Sequence, residues 1–138
     1  MSSIKNIFDI SGRAMAAQMI RLNTVASNLA NSNNISSTSE GAYRPLKPIF
    51  ETVYSDKLHD NGIASVDAVN VREINREPEK VYMPDHPKAN EDGYIFNAAV
   101  NIEEEMVEML EASRQYQNNI EVISTLRALM VKTINLGK

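Results

Sequence analysis

Residues 8–29, FDISGRAMAAQMIRLNTVASNL, carry an apolar side chain at every seventh position. The residues at this spacing are Phe8, Met15, Leu22 and Leu29. Met19 and Ala26 lie between them, at the intervening seam position of the seven-residue repeat. Apolar residues with this period form one stripe along an α-helix. We therefore predict a first helix over about residues 4–31.

A second apolar stripe lies near the C-terminus and steps by threes, fours and sevens. Its members are Ile102, Met106, Met109, Tyr116, Ile120, Ile123, Met130 and Ile134. Asn101 suits an N-cap and Gly137 suits a helix end. Because a helix of about thirty residues is roughly 45 Å long, the two helices match in length. We expect them to pair antiparallel as a coiled coil.

The middle of the chain carries no stripe and is rich in turn-forming residues. A polar run from Asn31 to Ser39, followed by Pro45 and Pro48, ends the first helix and favours extended backbone. Residues 83–93 hold two prolines and a glycine, so we predict a fixed loop in which Asp85 caps backbone amides. Spacing and β-type composition predict four strands, near Ile49–Tyr54, Ile63–Ile74, Val81–Met83 and Tyr94–Phe96. The predicted fold is mostly α with a small β-rich insert.

Composition excludes several classes of protein for this chain of 138 residues. It contains no cysteine, which excludes disulfides and thiol chemistry. The net charge is −4 and Lys and Arg do not cluster, so we expect no nucleic-acid partner. No segment approaches the roughly twenty apolar residues of a membrane span, so no direct membrane insertion is expected.

The N-terminal segment also argues against a cleavable secretory signal. Arg13, Gln18 and Arg21 interrupt the apolar stretch before it reaches the length of such a signal. A presequence or a membrane-surface helix is a less favoured interpretation, because the polar face is rich in Asn rather than Lys.

Candidate catalytic and metal-binding residues are few. His59 and His86 are the only histidines, and we interpret Asp85-His86-Pro87 as a turn rather than a base with its orienting carboxylate. No glycine cluster is present to bind a phosphate. Carboxylates share one predicted helix face at Glu104, Glu108 and Glu111, but a di-metal bundle site also requires Glu-x-x-His pairs. We therefore expect no enzyme activity, cofactor, metal or small-molecule substrate, and a solvated acidic face.

The apolar surface of the two predicted helices is wider than one helix partner can cover. Further apolar residues flank the stripes at Ile7, Ile20 and Val25 and at Val107, Leu110, Leu126 and Leu129. Because one partner covers only a narrow seam, these faces require the insert or other subunits. We predict that the stripes form an assembly interface. The predicted organisation is an N-terminal helix of the assembly core in residues 1–34, a loop and β-rich insert in 35–100, and a C-terminal helix of the core in 101–138.

Several segments of this sequence resemble motifs of a known protein family. Residues 10–31, with the segment Ala26-Ser27-Asn28-Leu29-Ala30-Asn31, resemble the N-terminal signature of bacterial flagellar rod and hook proteins. The segment Tyr43–Phe50, the loop around Asp85-His86-Pro87 and residues 100–122 resemble the proximal rod protein C family in particular. The chain departs from that family at Ala98-Ala99, where the pattern has Pro-Asn, and residues 54–79 show little match.

The resemblance implies a structural subunit of the flagellar basal-body rod. Such a subunit is exported through the flagellar type III apparatus without a cleavable signal peptide. It polymerises with copies of itself and other rod proteins into the drive shaft that crosses the periplasm and encloses the export channel. In this setting Asn28 and Asn31, poor helix formers, are expected to bond between subunits. They complete the predicted assembly interface with the stripe residues.

Two alternatives remain at the level of sequence. Another rod or hook subunit would share the Ala-Ser-Asn-Leu-Ala-Asn segment, although short length and the Asp-His-Pro loop argue against it. From a different class, a soluble helical adaptor or export chaperone would bury the same stripes in a stable dimer.

Overall fold

The computed structural model describes residues 2–54 and 64–137 of the chain, which contain two long helices and five strands. The elements, in chain order, are α1 (Ser2–Asn31), β1 (Ile35–Ser36), β2 (Leu46–Tyr54), β3 (Ala64–Glu73), β4 (Lys80–Tyr82), β5 (Tyr94–Asn97) and α2 (Ile102–Leu136). The mostly α architecture with small antiparallel sheets between the helices confirms the predicted fold class at that level.

The ends of α2 are set by local sequence. Asn101 adopts extended backbone, and its side-chain Oδ1 accepts hydrogen bonds from Glu103 N at 3.0 Å and Glu104 N at 3.2 Å. Acidic residues in the first turn also favour the positive end of the helix dipole. Gly137 follows the last turn with a φ of −90°, so the helix ends there without a left-handed residue.

The strands form two separate antiparallel sheets. β2 and β3 make a hairpin in which Leu46 pairs with Glu73 and Tyr54 with Ala64, with a register shift between Ile49 and Phe50. The second sheet has the order β1-β5-β4. All four predicted strands lie within one or a few residues of observed strands, although Ile63, the predicted start of the second, lies outside the described residues.

β1 was not predicted, because the Ser-rich run after α1 favours turns. Ile35 and Ser36 nevertheless pair with Asn97 and Phe96 of β5. β5 supplies the partner from far along the chain, and such tertiary pairing overrides weak local strand preference.

The loop between β4 and β5 is closed by short-range hydrogen bonds. Asn90 Oδ1 accepts from Tyr94 N at 2.8 Å, and Gly93 has a φ of 80°. A Cβ at Gly93 would lie 2.9 Å from Tyr82 Cε2, so both backbone conformation and space require glycine. Lys88 N donates to His86 Nδ1 at 3.1 Å. Within the described residues no hydrogen bond joins Asp85 to a backbone amide, so the predicted Asp85 cap is not observed.

α1 and α2 pack side by side and run in opposite directions. Gln18 Nε2 donates to Gln115 Oε1 at 2.9 Å, and Arg21 contacts Glu108. Residue numbers therefore rise along α1 while those of the contacting residues fall along α2. No helix in the described part of the chain is long and apolar enough to cross a membrane.

The core of the single chain is built from small side chains. Among residues 5–51 and 70–137, whose burial is described, the buried hydrophobic residues are Ala17, Val25, Ala42, Ile95, Ala98, Ala99 and Ala112. Because the free energy gained by burial scales with apolar area, a core made mostly of alanine stabilises the isolated chain weakly.

Candidate assembly interface

The contact between α1 and α2 includes small and polar side chains. Ala17 and Ala112 are buried. At about 100° per residue, Ala17, Arg21 and Thr24 lie on one face of α1. The stripe residues of α1 are centred about 90° around the helix from Gln18 and Arg21, the two residues that bond to α2. Pairing of the two helices as a coiled coil is compatible with this arrangement but is not confirmed by it.

The predicted interface residues of α1 differ widely in exposure. Met19 is 43% exposed and Ala26 is also exposed. The partly buried residues are Phe8, Met15, Leu22, Leu29 and Asn31. This face of α1 is only partly covered by the rest of its own chain.

On α2 the stripe lies beside the seam with α1. Met106, Ile120 and Ile134 are 51%, 44% and 61% exposed. Ile102 of the same stripe is also exposed, and the other stripe residues, Met109, Tyr116, Ile123 and Met130, are partly buried. Among the flanking apolar residues, Leu110 is 68% exposed. A broad apolar surface of α2 therefore lacks contacts within the described chain.

Asn28 does not lie at this surface. It is 1% exposed, its Nδ2 donates to Leu46 O at 2.9 Å, and its Oδ1 accepts from Leu46 N at 2.8 Å and Tyr43 Oη at 3.0 Å. The expectation that Asn28 bonds between subunits is corrected: it ties α1 to the start of β2 within one chain. Asn31 Nδ2 donates to Ser27 O of its own helix, also within the chain.

Ala98 and Ala99, which depart from the family pattern, lie in the segment before α2 and bond to residues that follow α1. Ala98 N donates to Asn34 O at 3.0 Å, and Ala99 N donates to Tyr43 O at 2.8 Å. A proline at position 98 would lack the first of these donors. Alanine therefore adds a backbone bond between the segment before α2 and the end of α1.

The acidic face at the start of α2 is partly paired, which sequence reasoning missed. Arg21 Nε donates to Glu108 Oε2 at 2.8 Å, and Arg21 Nη2 lies 3.5 Å from Glu111 Oε2. Arg76 Nη2 donates to Glu104 Oε2 at 2.9 Å. Arg21 and Glu108 are distant in sequence, so no local pattern identifies them as partners.

Comparison with known proteins agrees with this architecture. The family model described as "Flagella basal body rod protein" matches residues 8–34, and that described as "Flagellar basal body rod FlgEFG protein C-terminal" matches residues 91–136. The chain is 40% identical over 136 residues to the flagellar basal-body rod protein FlgC of Salmonella typhimurium, covering 99% of each chain. The FlgC proteins of Escherichia coli and Aquifex aeolicus are 36% and 39% identical, over 99% and 100% of each chain.

The chain belongs to the FlgC family of flagellar basal-body rod proteins. It is a structural rod subunit of the flagellar basal body, as the resemblance predicted. The full-length matches to FlgC distinguish it from other rod and hook subunits. They also remove support for a soluble adaptor or export chaperone.

His86→Ala is expected to leave motility unchanged. The His86 side chain accepts one exposed backbone hydrogen bond, worth about 1 kcal/mol. The described residues contain no group of His, Cys, Asp and Glu side chains suited to a metal. Swimming speed in soft agar measures the effect, with His86→Asn as a control that can keep a polar acceptor.

His59 lies outside the described residues, and the same outcome is expected for His59→Ala. Loss of swimming with the protein still exported would reopen a metal or catalytic role.

Proposed function

We propose that the chain polymerises through its two terminal helices, which form the wall of the rod that surrounds the export channel. The supporting observation is the number of large apolar side chains that the described chain leaves exposed on both helices. They include Ile7, Met19, Met106, Val107, Leu110, Ile120, Leu129, Val131 and Ile134. Met106, Val107 and Leu110 are neighbours at three- and four-residue spacing on α2, and an exposed apolar group of this kind marks a protein–protein contact.

Coiled-coil contacts in this proposal form between chains. The stripe on α1 has the seven-residue period of a coiled coil and is centred about 90° around the helix from Gln18 and Arg21, which bond to α2 of the same chain. Helices of neighbouring subunits would pack on that stripe and on the exposed side of α2. Residues 1–34 and 101–138 would make up the assembly core, and the insert in residues 35–100 would face outward.

The proposal includes the setting in which assembly takes place. Export through the flagellar type III apparatus, without a cleavable signal peptide, would deliver the subunit to the growing rod in the periplasm. Copies of the same chain and other rod proteins would be its partners. The small alanine-rich core is consistent with a subunit that gains most of its stability on assembly.

Amide exchange tests this assembly-coupled ordering. In the dilute isolated chain, we expect weak protection in residues 5–16 and 117–136, where the helices have few buried residues. In isolated basal bodies the same residues should be strongly protected, because neighbouring subunits cover them. Exchange is measured by mass spectrometry on both samples.

The junction around Ala42 and Ala98 provides an internal control, since it is buried within one chain. Its protection should be similar in both samples. Strong protection of residues 117–136 in a dilute monomer would contradict assembly-coupled ordering. Absence of the chain from purified basal bodies would contradict its role in the rod.

A further inference from the structure

The hairpin of β2 and β3 is a two-stranded sheet, so each of its strands has an outer edge without a neighbouring strand. A free strand edge presents backbone N–H and C=O groups that can pair with a strand of another chain. In an antiparallel pair, successive residues point these groups alternately toward the partner strand and away from it. Ile74 N donates to Pro45 O at 2.8 Å, which fixes this alternation. The next pair, Leu46 with Glu73, therefore turns its backbone groups outward.

The outer edge of β2 is closed at the positions where its backbone groups turn outward. The Asn28 side chain occupies both groups of Leu46, since it donates to Leu46 O at 2.9 Å and accepts from Leu46 N at 2.8 Å. The next outward residue is Pro48, which pairs with Val71 and has no N–H to donate. An asparagine of α1 and a proline of β2 thus oppose pairing with a further strand at this edge.

The outer edge of β3 is closed by a side chain of the same strand. Val71 N turns outward, because Val71 lies opposite Pro48, and it donates to Asn70 Oδ1 at 2.8 Å. This bond occupies a donor that a neighbouring strand would otherwise use. The register shift between Ile49 and Phe50 also gives β3 one extra residue, and such a bulge interrupts the row of edge groups. Asn70 and Val71 are exposed, so this edge lies at the surface.

The outer strands of the second sheet are also protected. Ile35 of β1 turns its backbone away from β5, because Ala98 N donates to Asn34 O in the neighbouring pair. Lys88 Nζ donates to Ile35 O at 3.0 Å and occupies that outward group. The other outer strand, β4, is three residues long, and very short edge strands are poor templates for pairing. Each outer strand in the described part of the chain therefore has a feature that opposes strand addition.

Polymerisation provides a physical reason for closing these edges. Every copy of the chain has the same β3 edge, and two identical edges can pair antiparallel about a two-fold axis. Such an isologous contact closes a dimer, whereas a growing rod requires heterologous contacts that leave a surface free for the next copy. Strand pairing between copies would therefore divert subunits from the rod into closed dimers.

We propose that Asn70 prevents β3 of one copy from pairing with β3 of a second copy before assembly. This inference rests on the proposed polymerisation of the chain. Because Asn70 Oδ1 accepts from the outward N–H of Val71, it removes a donor from each of the two edges that would meet. Contacts between copies are then restricted to other surfaces, which include the exposed apolar faces of α1 and α2.

Asn70→Ala tests this role, because it removes the acceptor and keeps a small side chain in β3. The chain contains no cysteine, so Arg72→Cys, combined with a short bifunctional maleimide, reports contact between the β3 strands of two copies. We expect Asn70→Ala to raise the yield of cross-linked dimer from the dilute chain by about tenfold or more, because two Val71 N–H groups are freed per dimer and each new hydrogen bond favours association roughly fivefold. Asn70→Asp keeps an acceptor oxygen and should give the same yield as the natural residue.

A second cysteine position separates strand pairing from general association. Leu136→Cys, at the exposed end of α2, should give the same dimer yield with and without Asn70→Ala. Asn75→Ala is the matched control, because it removes an exposed asparagine that lies outside the strands. It should leave the yield at both cysteine positions unchanged.

Several outcomes overturn the inference without affecting the proposed function. An unchanged yield at position 72 in the Asn70→Ala chain would show that Asn70 does not close the edge. An equal rise at positions 72 and 136, or an equal rise with Asn75→Ala, would show association that does not involve β3. A rise with Asn70→Asp as large as that with Asn70→Ala would show that the acceptor oxygen is not the cause. If the natural chain is absent from purified basal bodies, the proposed function fails instead.

Discussion

Leu110→Asp and Ile120→Asp should each stop rod assembly while the isolated chain keeps its fold. Leu110 is 68% exposed and Ile120 is 44% exposed, so an aspartate at either position remains hydrated in the monomer. In the proposed rod wall a neighbouring subunit would cover the same position. The lost apolar burial is then worth roughly 1.5–3 kcal/mol per contact, and an uncompensated buried charge adds several kcal/mol more.

The repetition of subunits multiplies this effect, because every copy in the polymer carries the same defect. Swimming in soft agar and electron microscopy of basal bodies measure the loss of rods. Detection of the variant outside the cytoplasm shows that export persists. Asn75→Asp introduces the same charge at an exposed position of the insert and should assemble normally. Normal rods built from both helix variants would show that this face of α2 is not an assembly surface.

Asn28→Asp should have a similarly large effect through a different cause. The substituted side chain is nearly isosteric, and it retains an oxygen to accept from Leu46 N and Tyr43 Oη. Its second oxygen replaces the Nδ2 donor and faces Leu46 O, where the natural bond is 2.9 Å long. Two acceptors then oppose each other at a site that is 1% exposed. Losing one buried bond costs about 1–3 kcal/mol, and the buried charge adds to this.

Asn28→Asp is therefore expected to loosen the junction between α1 and the start of β2. Faster amide exchange at Leu46 and a lower thermal midpoint measure the effect in the isolated chain, and fewer rods are expected in cells. Asn31→Ala is the matched control. Asn31 bonds to Ser27 of its own helix and to Asn34, so its removal should cost much less. Equal effects of the two variants would contradict the special role of Asn28.

Local sequence predicts the elements of this fold well, and the reason is visible in particular residues. Apolar periodicity identified α1 and α2, and Asn101 was recognised as an N-cap because its short side chain reaches amides two and three residues ahead. Strand composition located β2 to β5. The motifs in residues 10–31 and 100–122 identified the family. Each of these signals acts within one element or between near neighbours in sequence.

The tertiary structure decided which faces meet, since those contacts join residues far apart in the chain. The stripe of α1 has a coiled-coil period, yet the hydrogen bonds to α2 come from Gln18 and Arg21, about 90° around the helix from the centre of that stripe. Asn28 became an internal tie because Tyr43 and Leu46 return to it, and β1 formed because β5 lies beside it. The sequence predicts that Glu105 is one member of a solvated acidic run. Its burial depends on α1 and the start of β2, whose positions only the folded chain defines.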